Sequence, residues 1–461
     1  MKDAHRKHND LTGGLPDAPC ETLDSAPPKT ITADEIVFLF IGGAHQVFHL
    51  APVAAELSRL LPHQPITCLT ADPATTAALQ QVHDALTPPN LRIESVCMPV
   101  WGRLLSRLTG RKSSLKRPLL LALRQRLRQA AAIVTPERTS AVLRKMGLHN
   151  SLMIHFRHGA GDRAPKSENR LAAFDLIVVP GEKDFRRAIE KGVPAETLRV
   201  CGYVKLDFCD NVTRNLPQYF DNGSPTILYN PHFDIQNSSL PVAEQVIQQI
   251  MERSSYNLIV APHIRATEYL SPSQLTRWQQ LSVPGRMIID LDSPRLVDMT
   301  YTLTADVYLG DVSSQLYEFL IRPRPVAFIN AHHVAWQNNK RFAGWGLGEV
   351  AEKISDVVTT IDRAIARHPS KIGEQRTAVS DAFGEISGAA ERGAMIIATA
   401  VSKCLSQTST DERQEIITSR SATTTYFHLT SFLRAFSRSS ASSGKVTGSA
   451  MARRNCSRAA S

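Results

Sequence analysis

Between Thr304 and Asn330 the chain reads Thr304-Ala-Asp-Val-Tyr-Leu-Gly-Asp-Val-Ser-Ser-Gln-Leu-Tyr-Glu-Phe-Leu320 and then Pro323-Arg-Pro-Val-Ala-Phe-Ile-Asn330. The pattern predicts a buried strand over 307–309, a polar turn over 310–314, a helix over 315–321 and a second buried strand over 326–329. Such a turn sets Asp311, Ser313 and Ser314 at a helix start, where free N–H groups and the positive end of the helix dipole suit an anion. Ser313 or Ser314 can cap the helix or donate its hydroxyl to a phosphate oxygen. The plainer reading is that Asp311 and the serines only cap.

Three further polar groups follow expected strands: His155-Phe-Arg-His158-Gly159-Ala-Gly161, Tyr229-Asn-Pro-His232-Phe-Asp234 and Ala261-Pro-His263-Ile-Arg265. One histidine after a strand is more often a satisfied structural residue than a catalyst. Several at strand ends, from both halves of the chain, favour chemistry. Imidazole serves as a general base near neutral pH and donates to phosphate oxygens. Arg157 and Arg265 have the fork for bidentate phosphate contacts, or are plain surface arginines. Gly42-Gly43 is not a GxGxxG fingerprint, and neither a GxxxxGK[ST] loop nor a GxSxG elbow occurs, which weighs against dehydrogenase, P-loop and α/β-hydrolase chemistry.

The elements that must position these groups alternate β and α. An unbroken apolar run at 36–41, strands at 66–70 and 93–96, helical segments through a basic region to Met146, and strands at 151–155, 176–180 and 198–202 form a first half. Strands at 226–229, 257–261, 286–290, 307–309 and 326–329, with helices at 242–253 and 296–303, form a second. The expected organisation is a disordered segment 1–34, a Rossmann-like acceptor-side domain 35–212, a linker 213–225, a donor-side domain 226–401 ending in one or two helices over 374–401, and a disordered basic tail 402–461. This is an α/β chain with two facing doubly wound domains, whose ligands belong in the cleft at the strand ends.

A length of 461 residues fits two domains plus tails. The seven cysteines form no CxxC pair, so neither a zinc site nor a disulfide framework is indicated. The net charge of +10 is uneven: residues 101–128 hold nine Lys/Arg and no acid. Trp101, Leu104, Leu105 and Leu108 recur at helical spacing among Arg103, Arg107, Arg111 and Lys112, and Leu119 to Leu121, Leu123 and Leu127 continue the stripe. This segment reads either as a patch for an anionic membrane surface or as an ordinary core-packing helix pair. No nucleic-acid module accompanies the charge. The expected location is cytoplasmic, peripherally associated with the inner face of the cell membrane.

The ordered set His158-Gly, Gly202-Tyr-Val-Lys205-Leu-Asp207, Tyr229-Asn-Pro-His232-Phe-Asp234, Pro262-His263, Asp306 and Gly310-Asp-Val-Ser-Ser314 resembles the CDP-glycerol glycerophosphotransferase family. That family carries an HG element, a G-x-P-K-x-D element, a Y-x-P-T element, an H-P pair and a T-D-Y-S-S turn. Here Val204 stands for the proline, His232 for the threonine and Val312 for the tyrosine, while Ile264 follows His263 where the family has proline. The resemblance implies the GT-B architecture, a CDP-linked donor such as CDP-glycerol, a glycan or lipid-linked acceptor, and no cofactor or metal. It also implies roles: His158 as base and His263 as partner in catalysis, Asp311, Ser313, Ser314 and Arg265 around the donor phosphates, and His232, Asp234 and Lys205 as further cleft residues. A GT-B glycosyltransferase using a sugar nucleotide, a UDP-N-acetylglucosamine 2-epimerase-like enzyme and a non-catalytic nucleotide-sugar-binding protein are the alternatives.

Overall fold

The structure, a computed structural model, describes residues 34–102, 116–162, 168–206, 209, 216–236 and 238–404. The expected disordered ends, most of the basic segment (103–115) and Asp207 lie outside the described residues.

In the first half, β1 (Ile36–Phe40), β2 (Ile66–Thr70), β3 (Leu91–Ser95), β4 (Ala132–Thr135), β5 (Leu152–Phe156), β6 (Leu176–Val179) and β7 (Leu198–Val200) form one parallel sheet in the order β3-β2-β1-β4-β5-β6-β7. Every residue of β1, β2 and β4 is buried, as expected for strands covered on both faces. Ile36, Phe38 and Phe40 enter one core layer and Val37 and Leu39 the other, the period-2 consequence of the pleat. Full burial of each such side chain contributes about 1.5–3 kcal/mol.

The strand β4 corrects the expectation of helix from the basic region to Met146. Ala-Ile-Val-Thr has only four residues and follows a Leu/Arg/Gln/Ala run of strong helix formers. Tertiary pairing with β1 and β5 overrides that local signal.

In the second half, β8 (Thr226–Asn230), β9 (Asn257–Val260), β10 (Met287–Ile289), β11 (Val307–Gly310), β12 (Val326–Ile329) and β13 (Glu349–Ala351) form a parallel sheet in the order β10-β9-β8-β11-β12-β13. The edge strand β13 was not among the expected elements. Both sheets reverse direction of growth once, between β1 and β4 and between β8 and β11, and the crevice at such a point is where doubly wound folds take ligands.

A long helix, Val357–Phe383, runs through Pro369, where sequence reasoning starts its helix only at 374. Proline costs a helix one hydrogen bond and crowds the preceding turn. Here Pro369 is exposed, and buried residues on both sides of it, Ile361 and Ala364 before and Val379 and Phe383 after, hold the helix to the core. Gly384 and Gly388, at φ +60° and +70°, then turn the chain into a last helix over 389–404. That helix returns to the first half. A Cβ on Gly393 would stand 3.0 Å from Val53 and 3.2 Å from Phe156. Arg392 also donates from Nε to the Cys201 carbonyl at 2.8 Å.

In the basic segment, the helix Lys116–Leu127 buries Leu119, Leu120, Leu123 and Leu127, and Leu121 alone of its leucines is exposed. Of its charges, Lys116 pairs with Glu137 and Arg126 with Glu94. This part of 101–128 is core-packing helix. No helix among the described residues is long and apolar enough to cross a membrane.

Candidate functional site

A cleft of about 360 Å³ opens between the carboxyl ends of the two sheets. From the second half it takes His232 and Phe233 after β8, His263, Ile264 and Arg265 after β9, and Val312 to Gln315 after β11. From the first half it takes His45 and His49 after β1, Arg138 after β4, and His155 to Asp162 around the end of β5. Lys205 and Glu318 lie at its floor. The fold therefore brings together His158, His263, His232, Arg265, Lys205, Ser313 and Ser314, which are far apart in sequence.

Two of the expected residues stand elsewhere. Asp311 is buried beneath the turn, where its carboxylate accepts the N–H of His232 at 2.9 Å and of Ser239 at 3.0 Å. It thus ties the β8 loop to the β11 turn. Burial pushes its carboxyl up to about 7, against the downward pull of those donors. Asp234 lies outside the lining. Its N–H donates to His232 Nδ1 at 3.1 Å, and its own carboxylate accepts from Gln236.

The turn itself differs from a long helix start. The helix Gln315–Phe319 has five residues, so its dipole adds little. Ser313 Oγ accepts the Gln315 N–H at 3.2 Å, the capping role, while the Ser314 side chain makes no cap bond. The Ser314 side chain instead meets the first half. A Cβ on Gly159 would come within 3.1 Å of Ser314 Oγ, and one on Gly161 within 3.2 Å of Ser314 N. Gly159, at φ +71°, thus supplies both the turn and the close approach. Arg265 pairs with Glu268 at 3.2 Å and lies 4.3 Å over the Phe233 ring, which also neighbours His232, His263 and Tyr269.

The imidazoles differ in polarity. His158 Nδ1 lies 3.0 Å from the Pro136 carbonyl, which can only accept, so Nδ1 carries the proton and Nε2 the lone pair. Burial lowers the His158 pKa, with Arg138 and Arg157 adding to it against the opposing pull of Glu137 and the Pro136 carbonyl. Across the cleft, His263 Nδ1 accepts the Arg265 N–H at 3.2 Å and His232 Nδ1 accepts the Asp234 N–H. Their protons therefore sit on Nε2. One wall offers a base, and the other offers N–H donors.

His45 and His49 were not singled out from sequence. Their rings lie 5.9 Å and 6.2 Å from that of His158, and His45 also lies 6.4 Å from His263. Burial, then the neighbouring cationic and imidazole groups, holds both well below the ordinary imidazole pKa. The signal was available, since both follow the buried run 36–41 as the other histidines follow theirs. Beneath them Glu137 accepts from Gln46 and Lys116, each at 2.6 Å. Burial would raise its carboxyl, but Lys116, His158 and Gln46 outweigh that and hold it below the usual range. Both carboxylates in the lining are engaged: Asp162 by Lys183 and Tyr317, Glu318 by Lys205 and Tyr203. No group of three or more His, Cys, Asp or Glu among the described residues is placed to hold a metal.

Solved structures resemble the whole two-sheet body. A UDP-GlcNAc 2-epimerase from Neisseria meningitidis bound to UDP-GlcNAc is 14% identical, with 80% of this chain and 100% of that one covered at a TM-score of 0.56. The wall teichoic acid polymerase TagF, soaked with CDPG, is 14% identical over 81% of this chain and 90% of that one, at 0.52. A putative UDP-N-acetylglucosamine 2-epimerase from Listeria monocytogenes is 12% identical over 78% and 94%, also at 0.52. The fold is GT-B. No protein-family model and no curated protein matches the chain. The GT-B likeness agrees with the architecture expected from sequence.

Proposed function

We propose that the protein is a transferase that takes a group from a nucleotide-diphosphate donor, of the CDP-glycerol glycerophosphotransferase type, to an acceptor hydroxyl. The observation that carries this reading is the opposed polarity of the imidazoles that line one cleft: a lone pair on His158 Nε2 from one half, and N–H donors on His263 and His232 from the other. In the glycerophosphotransferase form the acceptor oxygen attacks the donor's β-phosphorus and its proton passes to His158. The bond from that phosphorus to the bridging oxygen breaks, and CMP leaves with the electron pair. The new negative charge falls within reach of the His263 and His232 N–H groups and the Ser314 hydroxyl, donors aimed at charge as it develops. Tyr269, exposed and stacked against Phe233, offers an aromatic face, and Arg265 over the Phe233 ring a cation. The donor-binding set in this reading is His232, His263, Arg265, Ser313 and Ser314, with Asp311 shaping the turn.

The 2-epimerase reading needs carboxylates free to move a proton, and the two in the lining are already paired. Incubation with CDP-glycerol, CDP-ribitol, UDP-glucose and UDP-GlcNAc, with lipid-linked glycan acceptors, tests the proposal. Acceptor-dependent release of CMP is the expected result. Release of UDP would make it a glycosyltransferase, interconversion of UDP-GlcNAc an epimerase, and binding without turnover a nucleotide-sugar-binding protein. We also propose that the chain works at the cytoplasmic face of an anionic membrane, where such acceptors reside. Val100 and Trp101, exposed at the edge of the basic segment, support that placement.

A further inference from the structure

The short helix Gln315–Phe319 belongs to the second half, yet the first half holds it from two sides. On one side Glu318 accepts from Lys205 Nζ at 2.8 Å and from the Tyr203 hydroxyl, and all three residues are at most 4% exposed. On the other, Tyr317 donates its hydroxyl to Asp162 at 2.6 Å, and Lys183 pairs with the same carboxylate at 3.2 Å while lying 3.4 Å over the Tyr317 ring. Asp162 also accepts the Gly344 N–H at 2.8 Å. Adjacent residues of one five-residue helix are thus each gripped by a charged residue of the opposite domain. That helix follows Ser313 and Ser314 directly, and its own hydrogen bonds are too few to fix it. A buried ion pair contributes little net stability but penalises any arrangement that separates its partners.

We propose that Lys205 and Asp162 are positioning residues for the Ser313–Ser314 turn, so that bringing the two domains together and shaping the phosphate-facing turn are one event. Lys205 then acts through Glu318 and not by touching a ligand. The phosphate role of the turn rests on the donor reading above; the interdomain grip does not.

Hydrogen exchange on the full chain tests the grip without any ligand. Lys205→Met and Asp162→Asn, both changes in the first half, are expected to speed amide exchange in residues 311–321 at least tenfold, leaving β8 and β12 protected. Lys205→Arg, which keeps the cation, is expected to retain protection. If Lys205→Met does not fold, Tyr203→Phe, which removes one hydroxyl, takes its place with the same expected pattern. Unchanged exchange at 311–321, or equal loss of protection throughout the second sheet, overturns the proposal. Calorimetry with CMP and UMP adds the link to binding, with affinity expected to fall at least tenfold in Lys205→Met and not in Lys205→Arg. A chain that binds neither nucleotide but shows the exchange pattern sinks the donor reading and supports the positioning. Normal nucleotide affinity in every variant overturns the link between grip and turn.

Discussion

The β5 loop of the first domain and the β8 and β9 loops of the second each present histidine to the same cleft, but the backbone treats them in opposite ways. After β5, His158 gives its Nδ1 proton to the Pro136 carbonyl of the loop after β4. After β8 and β9, a main-chain N–H two residues on donates to Nδ1 of His232 and His263. The first arrangement makes a base and the second makes donors. What distinguishes the two walls is the source of the partner, a carbonyl from the neighbouring β4 loop on one and the N–H of the following turn on the other: the partner of one ring nitrogen decides what the other can do.

The largest expected effect comes from removing the base. His158→Ala should lower kcat by ~10²–10⁴ while donor affinity stays near its starting value, because the residue belongs to the opposite wall. A stopped assay with calorimetry in parallel checks it. Full turnover per folded molecule in a less stable variant would make His158 structural and erase the contrast between the walls.

The donor wall should respond in binding. His263→Ala should weaken donor affinity by about 1–3 kcal/mol, the range for a lost hydrogen bond to a charged group. His263→Gln, which can place an amide N–H near the Nε2 position, should recover part of that loss. Equal affinities for the Ala and Gln forms would remove the donor role from Nε2.

The smallest effect is on stability against pH, and the two walls should pull in opposite directions. His45, His49, His155 and His158 have folded pKa values lowered by burial first. As pH falls below about 6.5, the unfolded chain takes up protons that the folded one refuses, so stability is lost toward the depressed folded values. Asp311 is raised by burial to about 7. Its contribution is present in full below about 3.9 and is lost as pH rises through that folded value. Melting Asp311→Asn beside the parent chain from pH 5 to 8 should show the acid-side loss kept and the loss toward pH 8 reduced. An unchanged profile would place the titration elsewhere.

The parallel strands were legible because burial on both faces leaves unbroken apolar runs, as in Ile36–Phe40 and Val326–Ile329. The strand β4 was not, because four residues after a helix-forming run carry no period of their own. Its loss hid the reversal between β1 and β4, and with it the reason to look at His45, His49 and Glu137. Three residues of β13 at an edge gave too short a pattern, and Pro369 masked the first half of a helix that packing sustains. In the site, His158, His232 and His263 were visible as polar residues after strands. Their tautomers were not, since those depend on the following turn for His232 and His263 and on a carbonyl 22 residues earlier for His158. The inward pull of Asp311 was equally invisible, because its partners, His232 and Ser239, lie 79 and 72 residues away.

The C-terminal end of the helix Val357–Phe383 already meets the first domain, where Asp381 pairs with Arg186 and Phe383 stacks on Tyr203 at 3.9 Å, so the polypeptide crosses the boundary twice, once between β7 and β8 and again along that long helix. Two bodies joined by one thread can swivel freely, whereas two attachments leave mainly rotation about the line through both. Gly384 and Gly388 follow the second crossing with backbone torsions that L side chains rarely adopt, and they turn the chain into the last helix. A Cβ at Gly384 would also approach the Pro180 carbonyl at 3.3 Å. Substituting alanine there would strain the turn between the two helices fastened to the first domain without touching the cleft.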